Sequence, residues 1–438
     1  MQLKNFLNHG ILDMTDVDGV LKTPLFTIIL FPVFFVFGSN LIITRLFLTS
    51  LVLVCFYFFT RQSNNKFSTA FFIIAVLFQF HIFHYTHLAL SEMLAIGFIL
   101  LAYRAYTLSV ERASKKHLLA SCAFIAASYF TKLIFLYAAF IIPLSVCTEF
   151  LWTAREDRRS KLIQFAYASL FTLGFMALYF LIWYLPNHNF FHFVFQKQAD
   201  FSAKKDMHSL LQRFSDNINY YRQDTYFSLN IYMLYLNALL LTILFFIRKK
   251  LQLKKLVPLI AFALFWLLFE LLKYTNVYLP SRYILGSVIA NFLLLSLILE
   301  VIIQRYDQLK KWGIVFTCIL FSYNMFFYFQ SLYRKSYELK EINDYFSHTD
   351  FGNKPVMGNW AASCTWNSKA YIKTLQKDYS GGKDLISLYK PKVIITETDE
   401  DDSNGIFGSQ GINIKEHSDS TRTFIVNRWK LVVYWIKQ

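Results

Sequence analysis

The sequence predicts a polytopic α-helical membrane protein of about ten spans plus one interfacial helix, with a small extracytoplasmic α/β domain at its C-terminus. Three observations predict it. Of 438 residues, 55% are hydrophobic and 48 are Phe, and the mean hydropathy is +0.38, which is too apolar for a soluble chain. Between Gly38 and Tyr333, runs of membrane-crossing length follow one another, and Lys and Arg crowd every second connection. Charge inside a bilayer is costly, so this asymmetry fixes the direction of each span. From about Arg334 the composition becomes that of a soluble domain.

The expected spans are 40–60, 67–85, 90–108, 116–131, 132–152, 163–184, 228–247, 256–273, 284–304 and 313–331. Short basic connections mark the cytoplasmic side: Arg61/Lys66, Arg112/Lys115/Lys116, Arg155 to Lys161, Arg248 to Lys255, and Arg305/Lys310/Lys311. The stretch 118–152 has basic flanks at both ends and about twice the length of one bilayer crossing. It must leave and return, in a hairpin turning near Thr131-Lys132. Parity then places the N-terminus, Lys132 and the C-terminal region outside.

Thr23–Gly38 carries Pro24 and Pro32 and is short for a full crossing, so it is expected as an interfacial or re-entrant helix. The outer loop 186–227 mixes Lys and Arg with Asp and is rich in Phe and Tyr, as suits a cover at headgroup level. Residues 1–333 are thus read as the membrane domain, with outer loops 1–39 and 186–227, and 334–438 as the soluble one. In the latter, Val356–Trp360, Val393–Glu397, Thr423–Val426 and Leu431–Trp435 read as strands. Helices are expected near 361–378 and 383–389.

The net charge of +16 does not indicate a nucleic-acid partner, because the basic residues gather at span ends facing one compartment. Cys55, Cys122, Cys147 and Cys318 fall in apolar runs and only Cys364 in the soluble part, so neither a disulfide framework nor a Cys-based metal site is legible. The first 20 residues are polar, carry Asp13, Asp16 and Asp18, and have no apolar core of the signal-peptide kind.

An ordered set of short motifs completes the reading. Gly10-Ile11-Leu12-Asp13 and Asp18 to Phe26, including Lys22-Thr23-Pro24-Leu25, precede an apolar helix closing with Phe37-Gly38. Arg45 follows early in the next span, then Ser91-Glu92, Thr131-Lys132 and Ser281-Arg282-Tyr283. This order resembles the GT-C membrane glycosyltransferases, especially the protein O-mannosyltransferase and aminoarabinose-transferase-like group, in which a Lys-Pro-Pro-Leu segment, a Phe-Gly stop and an Arg recur in sequence. Thr23 replaces the first Pro. The resemblance also implies an additional first span followed by an outer catalytic carboxylate. This chain starts just past that point, so either a segment precedes Met1 or Asp13, Asp16 or Asp18 stands in.

The resemblance implies transfer of a sugar from a polyprenyl-phosphate carrier to an acceptor on the outer face, by inverting displacement, in the bacterial inner membrane. The partners are then membrane lipid, the carrier-linked sugar as donor substrate, and a lipid-linked glycan or protein as acceptor; no cofactor is expected with certainty. The chemistry needs a carboxylate to accept the acceptor's proton, and cations to take up charge on the leaving phosphate. Glu92, Asp16 and Asp18 are the candidate catalytic carboxylates. Glu92 is equally suited as an acid at a helix start, and the aspartates as a solvated turn. Lys22, His87, Lys132, Arg282 and Tyr283 are the candidate substrate contacts, Arg282 because guanidinium grips phosphate through paired hydrogen bonds. Lys22 also suits an interface anchor. His81, His84 and His87 lack a carboxylate pair at ligand spacing and read as polar lining rather than a metal site. A flippase or other transporter and a glycan polymerase are the rival functions. A transporter is disfavoured because no half-repeat is visible, a polymerase because the 186–227 loop is mixed in sign.

Overall fold

The computed structural model describes residues 2–10, 23–61, 66–86, 90–152, 158–189, 191–192, 196, 209–224, 227–247, 256–276, 279–333, 337–373, 375, 384–398, 402–426 and 429–437. The chain forms two compact units, one of Met1–Thr44, Tyr184–Met207 and Tyr333–Gln438, the other of Arg45–Trp183 and His208–Leu332. The C-terminal part shares its unit with the N-terminal segment.

Eight helical stretches among the described residues are long and apolar enough to cross a membrane: Leu41–Thr60, Ser91–Arg112, Leu133–Trp152, Arg158–Asn187, Ser228–Phe246, Val257–Thr275, Ser281–Arg305 and Leu309–Gln330. The other two of the ten expected are shorter. Lys115–Thr131 has 17 residues. The run 67–85 is broken into Lys66–Leu77 and Phe80–Thr86, and the amide groups freed at the break find partners inside the fold. Ile82 N donates to the Gln79 side chain and Phe80 N to Asn324, as non-helical backbone at membrane depth requires.

Two helices form the centre of the larger unit. Ser91–Arg112 and Ser281–Arg305 bury 72% and 83% of their apolar windows, against 17% for Arg158–Asn187. The outer helices present Leu46, Leu53, Tyr57, Leu170, Leu173, Phe245 and Phe246 to the exterior, a surface that only lipid can solvate. Helices in lipid associate through close approach and hydrogen bonds, because hydrophobicity alone gives no preference between helix and lipid. Both devices are present. A Cβ at Gly97 would lie 3.2 Å from Cys55, so its glycine lets Leu41–Thr60 lie tightly on Ser91–Arg112. Asn237 donates to Asn291, and Asn291 in turn to the Asn230 carbonyl and side chain (2.9 and 3.0 Å), joining Ser228–Ile247 to Leu285–Arg305.

Within the expected outer loop 186–227, residues Leu210–Gln223 form an amphipathic helix capped by Ser209, whose hydroxyl accepts from Gln212 N. Asn217 donates to the carbonyls of Tyr274 and Asn276, and Tyr221 to that of Leu279. This helix therefore fixes the backbone leading into Ser281-Arg282.

The smaller unit contains a mixed five-stranded sheet, ordered β2-β1-β3-β5-β4, of β1 (Pro355–Met357), β2 (Tyr371–Lys373), β3 (Val393–Glu397), β4 (Ser418–Val426) and β5 (Trp429–Ile436). β1 is parallel to β2 and β3, while β3, β5 and β4 run antiparallel in turn. The expected helix at 361–378 is a correction: among the described residues of that range only Ala361–Cys364 is helical, and Tyr371–Lys373 is a strand. A tight turn through Ser368, whose hydroxyl donates to the Thr365 carbonyl, ends that helix. The cause of the strand lies far away in sequence. In the helix Gln2–His9, the Asn5 side chain donates to the Ile372 carbonyl and accepts from Ile372 N, as a neighbouring strand would. It closes the edge of β2.

Pro24–Phe37 is a 14-residue helix with Pro24 in its first turn and Gly38 beyond its end at φ 67°, a conformation glycine adopts freely. It is too short for a full crossing, as expected.

Candidate functional site

Three segments of the larger unit bring charge together. The helix Ser91–Arg112 begins after the extended Leu90 and carries Glu92 in its first turn. Lys132 ends the Lys115–Thr131 helix in an extended conformation (φ −154°, ψ 115°) before a 3-10 stretch, Leu133–Phe140. The hydroxyls of Ser128 and Thr131 donate back to the Ile125 and Ala127 carbonyls, a pattern that loosens a helix end. Pro280, itself extended, starts the 3-10 turn Ser281–Ile284 ahead of Leu285–Arg305.

Lys132 Nζ lies 3.3 Å, and Arg282 Nε 3.6 Å, from the same oxygen, Glu92 Oε1. Ser91 Oγ donates to the other, Oε2, at 3.2 Å. Tyr283 stands between the cations, its ring centroid 5.6 Å from Lys132 Nζ and 5.3 Å from Arg282 Cζ, within cation–π range. Exposure separates the roles: the Glu92 side chain is 2% exposed, Lys132 28% and Arg282 44%. The carboxylate forms the floor and the cations the open face. The carboxylate holds the two positive groups together and leaves their charge accessible on the open face.

Behind this layer is a second charged group. Glu270 is fully buried, and Lys273 Nζ stands 2.8 Å from its Oε2 in an ion pair. The other oxygen accepts from Tyr137 OH and, at 3.4 Å, from Trp266 Nε1. Lys273 also donates to the Tyr283 carbonyl (3.2 Å) and lies 4.2 Å from the Phe135 ring centroid. A Cβ at position 286 would collide with the Glu270 carboxylate, so Gly286 makes the space for it.

Four residues singled out in the sequence are thus adjacent: Glu92, Lys132, Arg282 and Tyr283. Asp16, Asp18, Lys22 and His87 lie outside the described residues, as does Asp13. His84 is described and stacks on Phe80, with centroids 5.9 Å apart. Among the described residues no group of three His, Cys, Asp or Glu side chains is placed to hold a metal. Sequence reasoning missed Glu270, Lys273 and Tyr137. A signal existed, since a Glu inside an apolar span with Lys three residues on is a one-face pair whose cost in lipid demands a reason.

No protein-family profile matches the chain, and no curated protein sequence does. Solved structures do match. The crystal structure of ArnT from Cupriavidus metallidurans bound to undecaprenyl phosphate superposes with a TM-score of 0.58 at 13% identity, over 99% of this chain and 92% of that one. The fold is GT-C-like. The match extends over nearly the whole of both chains, so the GT-C-like fold includes the short sheet-bearing part as well as the membrane helices.

Proposed function

We propose that this chain is a membrane glycosyltransferase, moving a sugar from a polyprenyl-phosphate carrier to a hydroxyl acceptor on the extracytoplasmic face of the bacterial inner membrane. One observation carries the reading: Lys132 and Arg282 converge from separate segments on a single oxygen of Glu92, and both present their charge on the open side. The bound carrier of the structural neighbour, undecaprenyl phosphate, is an anion of the kind this arrangement suits.

Positive-inside topology supports the outward face. The 22-residue helix Ser91–Arg112 is about 33 Å long, with Glu92 at one end and the basic Arg112/Lys115/Lys116 connection at the other. The C-terminal sheet domain is extracytoplasmic by the same parity.

In the reaction, the acceptor oxygen bonds to the anomeric carbon as the bond from that carbon to the phosphate oxygen breaks. Polyprenyl phosphate leaves with the electron pair, and the hydroxyl proton passes to a carboxylate. Lys132 and Arg282 hold the donor phosphate and take up its growing charge, which stabilises the transition state more than the ground state. Tyr283 orients both cations. Glu92 is the carboxylate assigned to the proton, released from its ion pairs as the phosphate takes the cations. Asp16 and Asp18 are the alternative bases, and Lys22 and His87 further contacts. A lipid-linked glycan is the favoured acceptor over a protein.

The test is transfer from a radiolabelled polyprenyl-phosphate sugar in membranes. K132A and R282A are expected to raise the donor KM at least tenfold, and E92Q to lower kcat at least a hundredfold, at unchanged protein abundance. Full activity in all three variants overturns the site. Full activity in E92Q alone transfers the base to the aspartates.

A further inference from the structure

Lys132 and Arg282 sit on irregular segments of the larger unit, an extended break followed by a 3-10 stretch and a 3-10 turn after Pro280. Glu92 joins the two cations directly, and Lys273 joins their segments from the buried side: its ammonium donates to the Tyr283 carbonyl and packs over the Phe135 and Tyr137 rings, which follow Lys132. Glu270 holds that ammonium, and Tyr137 ties the Lys132 segment to Glu270 a second time. Trp266 and Gly286 shape the space on the remaining sides.

We infer that the buried Glu270–Lys273 pair is a positioning element that sets the spacing of Lys132 and Arg282 for a phosphate, and so determines the phosphate-dependent part of carrier affinity. Neither member touches substrate, as both are enclosed. A well-packed apolar replacement of a buried ion pair is often neutral or stabilising for folding, so keeping charge here favours a task other than stability. The pair joins the segments because an ammonium has three donors to distribute, which no apolar side chain of the same size supplies. This inference rests on the reading of Lys132 and Arg282 as the phosphate site.

The experiment measures binding of undecaprenyl phosphate and of undecaprenol, which lacks the phosphate, to the purified full chain in lipid nanodiscs. The variants are K132A, R282A and the double variant E270Q/K273M, which removes both buried charges together and leaves none unpaired. The double variant is expected to bind undecaprenyl phosphate about tenfold more weakly, about 1.4 kcal/mol, with undecaprenol affinity and unfolding temperature unchanged. Unchanged affinity for both lipids, or equal loss for both, overturns the positioning role, since general damage would not discriminate the phosphate. K132A and R282A separate the two readings. If they bind undecaprenyl phosphate as the unaltered chain does, the phosphate site itself is wrong; if they weaken it and E270Q/K273M does not, only the positioning role fails.

Discussion

Each unit buries a lysine, and the two are treated differently. Lys273, in the larger unit, meets a carboxylate at 2.8 Å and two aromatic rings. Lys4, on the Gln2–His9 helix of the smaller unit, is fully buried too, but among the described residues its ammonium meets the Thr365 carbonyl at 2.7 Å and the Trp366 ring at 5.7 Å. Burial pushes the Lys4 pKa down to about 7. Lys273 is enclosed with a counter-charge, whereas the described surroundings of Lys4 are dipoles, and its burial favours the neutral amine. The first arrangement suits a fixed scaffold behind a site. The second makes the seat of the N-terminal helix sensitive to pH.

The sharpest way to break this comparison is to unpair Lys273. E270A should destabilise the larger unit by about 3–5 kcal/mol, because it leaves an uncompensated buried charge, and E270Q/K273M should restore the stability of the unaltered chain. Thermal unfolding in detergent measures both; equal stability in E270A would mean that the pair is solvated. Next in size, G286A places a methyl against the Glu270 carboxylate and should cost about 1–3 kcal/mol by overpacking, read in the same assay.

In the smaller unit, N5A removes both hydrogen bonds to Ile372. The loss of one partner of a buried pair is worth about 1–3 kcal/mol, seen as faster amide exchange at Tyr371–Lys373. The smallest effect is that of pH on Lys4. Its folded pKa lies below the ordinary lysine value of about 10.4, so the docked helix favours the neutral amine. Docking should tighten as pH rises from about 7 to about 10 and be flat below about 7. Exchange rates of the Gln2–His9 amides against pH report it, and K4M should abolish the dependence.

The parts of the fold readable beforehand were those with strong local signals. Apolar runs and basic connections placed the spans, the hairpin break at Lys132 and the short helix at Pro24–Phe37. The break at Gln79 escaped notice because its amide groups are satisfied by a side-chain cap and by Asn324, a residue far along the chain. β2 was misread because Asn5, more than 360 positions earlier, supplies its missing neighbour. At the site, Glu92, Lys132 and Arg282 stood out as charges at span edges. Glu270 and Lys273 form an i,i+3 pair within an apolar run that sequence reasoning passed over, and only packing joins them to Tyr137 and Tyr283.

By itself the sequence determined which segments are apolar enough to enter a membrane and which charged residues border them, because lipid penalises every exposed charge and unpaired amide whatever the fold. Only the tertiary structure decided that two cations meet one carboxylate oxygen and that a buried ion pair stands behind them. The meeting of the cations depends on distances between segments 40 and 190 positions apart in the chain, and hydropathy carries no record of them.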